Sequence, residues 1–162
     1  MRGAIERLKS LSVRDVMARD VVSVSANQTL SEAAVVLRER NVAWAPVVDE
    51  TGRCVGVLSA TDLLEKDGGC GDVPRMREHS VRQEDAGGAL DIVPADACFV
   101  GDVMTRGVQS VRPEVAVLMA ARIMCVEHIH RLPVLDHHNR PAGVISTMDI
   151  VAALLGAIEE SS

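Results

Sequence analysis

Two pairs of residues in this chain of 162 repeat one chemical arrangement at one spacing: Ser59 with Asp62, and Ser146 with Asp149. A carboxylate placed this way can accept two hydrogen bonds at once, as the cis-diol of a ribose offers them. The hydroxyl three residues earlier stands where a strand ends and a helix begins. Beside the unpartnered N–H groups of that helix it suits a phosphate oxygen. A plainer reading uses the same four residues only to cap their helices. Because the whole constellation occurs twice, ligand contact is the favoured expectation.

Other chemistries find less support. Cys125, His128, His130, His137 and His138 are ligand types a transition metal would take, but the spacing has no matching second half, so no metal is expected. No nucleophile elbow, P-loop, HExxH or dinucleotide glycine fingerprint occurs, so no catalytic residue is named and the chain is not expected to be an enzyme. A net charge of −6, no Tyr, one Phe (Phe99) and one Trp (Trp44) argue against nucleic acid as a partner. The longest apolar run, Val115 to Ala121, is far short of the roughly 20 residues of a membrane span, and residues 1–9 contain no apolar signal core. No membrane association and a cytoplasmic location are the expectation. Cys54, Cys70, Cys98 and Cys125 form no CxxC pair and read as reduced, mostly buried thiols.

The elements that must position the Ser-x-x-Asp pairs repeat as well. VRDVM at 13–17 returns as VGDVM at 100–104, APVVD at 45–49 as LPVLD at 132–136, and GVLSATD at 56–62 as GVISTMD at 143–149, all at an offset of 87 without a gap. Residues 13–63 and 100–150 share 18 identities in 51 positions, where about four would arise by chance. Each unit reads as strand, helix, strand, strand, helix. Val21 to Val24 and Val108 to Val111 are short apolar strands. Thr29 with Glu32 forms a capping box, after which Leu30, Ala33, Ala34 and Leu37 recur at helical spacing and Asn41 supplies a left-handed stop. Ala45 to Val48 and Cys54 to Leu58 are strands joined by a turn at 49–52. A short helix follows Asp62, and its counterpart runs from Asp149 to Ile158. The units are bounded at 10–66 and 97–158. Residues 67–96, rich in glycine and charge, read as a partly mobile linker.

The DVM opening, the h-P-V-h-D strand (h, apolar) and G-h-h-S-x-x-D, each present twice and in order, resemble a tandem pair of CBS domains, a Bateman module. The resemblance spans nearly the whole chain. It implies an α+β fold in which two repeats pack about a pseudo-twofold axis, leaving two clefts that take adenosine-containing ligands in many members. On that pattern Ala45-Pro46 and Leu132-Pro133 border the base with apolar surface. His128 to Val134 is similar to the basic element that faces phosphate in nucleotide-sensing members, which assigns a phosphate role to His130 and Arg131. The first repeat carries Ala43-Trp44 there instead, so one cleft is expected to be degenerate or differently selective.

The resemblance thus implies a stand-alone regulatory module that binds AMP, ADP or ATP, or alternatively NAD, S-adenosylmethionine or a cyclic dinucleotide, and signals to a separate protein. A ligand-free oligomerisation scaffold is the alternative. The second repeat's first helix sharpens the expectation of a homodimer: Leu118, Met119, Cys125 and Val126 replace four polar residues of the first repeat and give it a second apolar face.

Overall fold

The computed structural model describes residues 2–65 and 98–160, so the expected linker lies outside the described residues. The elements in chain order are α1 (Arg2–Ser10), α2 (Val13–Val16), β1 (Val24–Ser25), α3 (Leu30–Glu39), β2 (Trp44–Val48), β3 (Cys54–Ser59), α4 (Ala60–Glu65), α5 (Val100–Val103), α6 (Val117–Glu127), β4 (Arg131–Leu135), β5 (Pro141–Ser146) and α7 (Thr147–Glu159). Mixed helix and strand in two matching sets is the α+β architecture expected of the repeat.

Local signals act where the sequence placed them. Thr29 Oγ1 accepts from the Glu32 amide and Glu32 Oε2 accepts from the Thr29 amide, closing the capping box that starts α3. Asn41 and His128 adopt left-handed φ of 51° and 53° where α3 and α6 stop, and Asn139 does so at 60° in the β4–β5 turn. In both hairpins one aspartate Oδ1 gathers the turn's N–H groups, Asp49 from Thr51 and Arg53, and Asp136 from His138 and Arg140. Those bonds favour the charged carboxylate. Asp49 is held below its ordinary range chiefly by the Thr51 hydroxyl, and Asp136 chiefly by the Arg140 amide.

The first strand of each unit departs from expectation. β1 comprises Val24 and Ser25, pairing in parallel with Val47 and Val48 of β2 rather than spanning 21–24, and in the second repeat only Val111 bridges Val134. Val21, Val22 and Val108 are half-buried and join no ladder. The α4 and α7 helices also begin earlier than expected, at Ala60 and Thr147, which puts each Asp at the third helical position. The cysteines differ too: Cys98 is disulfide-bonded, and Cys125 is a free thiol that is exposed. Cys54 is half-buried, and that burial raises its thiol above the usual range.

The two cores are built by exchange. Val100 and Met104 of the second repeat's opener pack with Ala33, Leu37, Ala45, Val47 and Leu58 of the first, whereas Val13 packs with Ala120, Met124, Leu132, Val134 and Ile145 of the second. Backbone bonds follow the same exchange. The Ala18 and Val144 amides each donate to the other's carbonyl at 2.9 Å, and Thr105 and Val57 do likewise at 2.9 and 3.0 Å. The motif glycines make room for this crossing. A Cβ on Gly56 would stand 2.6 Å from the Thr105 carbonyl oxygen, and one on Gly143 2.8 Å from that of Ala18. Each of the two repeats therefore completes the core of the other.

Candidate functional site

The exchange creates a cleft of about 770 Å³ whose walls come from both repeats. Trp44, at the start of β2, and Val57 line it from the first. From the second come Thr105, Arg106 and Gln109 after the opener, His128 to Arg131 between α6 and β4, and Ser146 to Met148 where β5 runs into α7. Trp44 and Arg131 occupy matched positions 87 apart. The pseudo-twofold brings these two mates, one aromatic and one cationic, into one cleft.

Its positive charge comes from the guanidinium groups of Arg131 and Arg106. Arg131 and His130 are exposed, and their side chains take part in no hydrogen bond or ion pair among the described residues. Arg106 is anchored by a 2.8 Å bond from its guanidinium to the Gly101 carbonyl, as its mate Arg19 is to that of Arg14. The carboxylate of Glu127 also lines the cleft. An indole face, two guanidinium groups, imidazoles and the hydroxyls of Thr105, Ser146 and Thr147 are a donor set for a flat ring joined to an anion.

The Ser-x-x-Asp pairs form helix caps. Asp62 Oδ2 accepts from the Ser59 amide at 2.7 Å and from its hydroxyl at 2.8 Å, while Ser59 Oγ accepts from the Asp62 amide at 3.3 Å. Ser146 and Asp149 repeat this at 2.7, 2.7 and 3.2 Å. In each carboxylate these bonds use Oδ2 and not Oδ1. Ser146 lines the large cleft beside His130 and Arg131, whereas Asp149 opens on a separate hollow of about 310 Å³ with Arg7, Asp15 and Glu160. There the Ser12 hydroxyl, aided by its amide, holds the Asp15 carboxyl below its ordinary range. Ser59 and Asp62 line none of the described cavities.

The apolar site residues sit deeper than a base-bordering role suggests. Ala45 and Leu132 carry no exposed surface, and Pro46 and Pro133 are fully buried. Pro133 borders a cavity of about 340 Å³ between the two hairpin turns. Sequence alone does not mark Trp44, Arg106 and Gln109 as cleft residues. The usable signal was the offset of 87, since a residue matched to Arg131 must stand opposite it once the openers exchange. Among the described residues no three His, Cys, Asp or Glu side chains stand together as metal ligands, and no helix is long and apolar enough to cross a membrane.

The family profile of the CBS domain matches residues 13–69 and again 100–156. The chain belongs to the CBS domain family. As a CBS pair it is 28% identical over 142 residues to the CBS domain-containing protein YhcV of Bacillus subtilis, covering 86% of this chain and 82% of that one. Inosine-5′-monophosphate dehydrogenase of Methanocaldococcus jannaschii is 26% identical over 137 residues, which cover 85% of this CBS pair but 22% of the enzyme. Among solved structures, CBSX2, a CBS-pair protein of Arabidopsis thaliana, in complex with AMP, matches at 26% identity and a TM-score of 0.68 over 91% of this chain and 98% of that one. The CBS domain pair of protein MJ0100, in complex with 5′-methylthioadenosine and S-adenosyl-L-methionine, shares the fold at 22% identity and a TM-score of 0.66, covering 90% of this chain and 97% of that one.

Proposed function

We propose that this CBS pair is a regulatory module that takes an adenosine-containing ligand in the cleft shared by its two repeats and passes occupancy on to a partner protein. The observation that carries the reading is the meeting of Trp44 with the uncommitted Arg131 and His130 in one cavity of about 770 Å³. The indole takes the face of the base, and Arg131, His130 and Arg106 hold the phosphate or another anionic group, with Ser146 at the helix start adding a hydroxyl. That CBSX2 is solved with AMP supports this class of ligand. The role is binding rather than catalysis, in the cytoplasm, and the protein acts as a homodimer.

A ligand-free scaffold is the second reading. One observation favours it: the capping bonds account for Ser59, Asp62, Ser146 and Asp149 without any ligand.

Trp44 is the sole tryptophan, so its fluorescence reports on the cleft directly. Titration with AMP, ADP, ATP, NAD and S-adenosylmethionine should quench or shift that emission with micromolar midpoints for at least one of them. At 100 times its Kd such a ligand adds about 2.7 kcal/mol of stability. For a chain of this size that corresponds to a thermal shift of about 5–10 °C. No change in emission, melting temperature or calorimetric heat with any of the five would leave the scaffold reading standing.

A further inference from the structure

The stretch of cleft wall that carries His130 and Arg131 begins with an acid. Glu127, the last residue of α6, lines the cleft together with His128, Ile129, His130 and Arg131. It is exposed, and its carboxylate accepts no hydrogen bond and joins no ion pair among the described residues. The matched residue of the first repeat, 87 positions earlier, is Arg40, so the charge at this place is reversed between the repeats.

The helix itself gives no reason for the acid. A helix C-terminus carries partial negative charge and favours a cation. The α3 helix meets that preference with Arg38 in its last turn and Arg40 as its cap, whereas α6 has no basic residue in its last turn and is capped by His128. A carboxylate there opposes the helix dipole and gains no partner within the chain. A local rule broken without compensation inside the fold points to a role at the site. The guanidinium groups of the cleft are those of Arg131 and Arg106, and Arg106 also donates to the Gly101 carbonyl. Glu127 sets one negative charge against those two.

We infer that Glu127 limits the negative charge of the ligand, admitting one phosphate and disfavouring longer phosphate chains. The inference rests on the adenosine reading of the cleft. One phosphate carries about two negative charges near neutral pH. Each further phosphate adds repulsion from Glu127 that no third guanidinium offsets.

The test is calorimetry of AMP, ADP and ATP on the full chain at about pH 8 and about 50 mM salt, without divalent cations, for the wild type, Glu127→Gln and Glu127→Arg. At a separation of about 7 Å in water one unit charge alters affinity about twofold to threefold. Removing the carboxylate should therefore tighten ATP about threefold to tenfold more than AMP, with ADP between them, and Glu127→Arg should widen the same order. At about 500 mM salt these differences should shrink, as screening requires. The melting temperature of Glu127→Gln should stay level or rise, because the helix end loses an unfavourable charge. Equal factors for the three nucleotides would overturn the inference while leaving the adenosine reading intact. Failure of adenosine and of all three nucleotides to bind either the wild type or Glu127→Gln would overturn the cleft reading and the charge limit with it. If Glu127→Gln instead weakens ATP once Mg²⁺ is added, the carboxylate serves a metal-bound phosphate chain and the inference fails.

Discussion

Arg131 is exposed and its guanidinium bonds to nothing among the described residues, so its removal should leave the fold alone and act on the ligand. Hydrogen bonds to a charged group are worth about 1.5–3 kcal/mol, so Arg131→Ala should weaken AMP binding about tenfold to a hundredfold with the melting temperature unchanged. Equal affinity for mutant and wild type, measured by Trp44 emission, would remove Arg131 from the site. Ser59→Ala and Ser146→Ala offer a contrast, because both residues cap helices. Each should cost about 1 kcal/mol of stability, a loss of about 2–4 °C. Only Ser146→Ala should also weaken AMP, since Ser146 alone of the two lines the cleft. Sequence made these four Ser and Asp residues legible as a repeated constellation. It left open whether a carboxylate turns to a ligand or to its own helix N-terminus, because both uses ask for the same residues at the same spacing. Trp44 escaped for the opposite reason: at its own position it reads as a lost basic residue, and its value comes from what stands across the axis.

At the level of elements, periodicity located α3, α6 and both hairpins to within about two residues, because each is specified by neighbours in sequence. The exchange of openers was not legible. VRDVM and VGDVM are near copies, as are the sheets that receive them, so the pattern fits equally well whether an opener packs on its own repeat or on the other. Nothing local distinguishes the two. The first strands were misplaced because runs such as Val21-Val22-Ser23-Val24 are apolar in both possible roles, flanking contact and ladder member. The exchange makes a sharp prediction at Gly56 and Gly143. A methyl group at either position meets a backbone carbonyl of the crossing segment, at 2.6 Å for Gly56 and 2.8 Å for Gly143, and a backbone atom cannot swing aside as a side chain can. Gly56→Ala and Gly143→Ala should each destabilise by about 1–3 kcal/mol, read as a lower urea midpoint. Gly56→Ala should in addition weaken AMP, because Thr105 and Val57, which pair beside it, line the cleft. An unaltered midpoint in both variants would mean that the openers do not cross so closely.

For the whole molecule, two properties follow from its surface. Asp15, Asp49 and Asp136 accept hydrogen bonds in the folded chain and are held below the ordinary aspartate value near 3.8. A carboxyl whose folded pKa is depressed contributes stability that is present above its unfolded pKa and is lost as pH falls through the folded one. Urea midpoints should be level from about pH 5 to 7 and fall below about pH 4. Asp49→Asn and Asp136→Asn should flatten that acid limb, and an unchanged limb would assign it to other groups. The second property is association. Leu118, Met119 and Val126 on α6 are 41%, 51% and 66% exposed, and Val151, Leu154, Leu155 and Ile158 on α7 are each at least 41% exposed. The α7 helix therefore adds to the apolar face of α6 instead of covering it, while α1 packs across both helices and leaves these residues open. Exposed apolar residues on two helices in contact suit an isologous pairing, in which each copy covers the other. Light scattering at micromolar concentration should give about twice the 17.3 kDa of one chain. Met119→Glu, which sets a charge on that face at a half-exposed position, should halve the mass while the melting transition stays cooperative, with its midpoint lowered by the loss of association. A wild-type mass of one chain at every concentration up to about 100 μM would show that the face has another occupant.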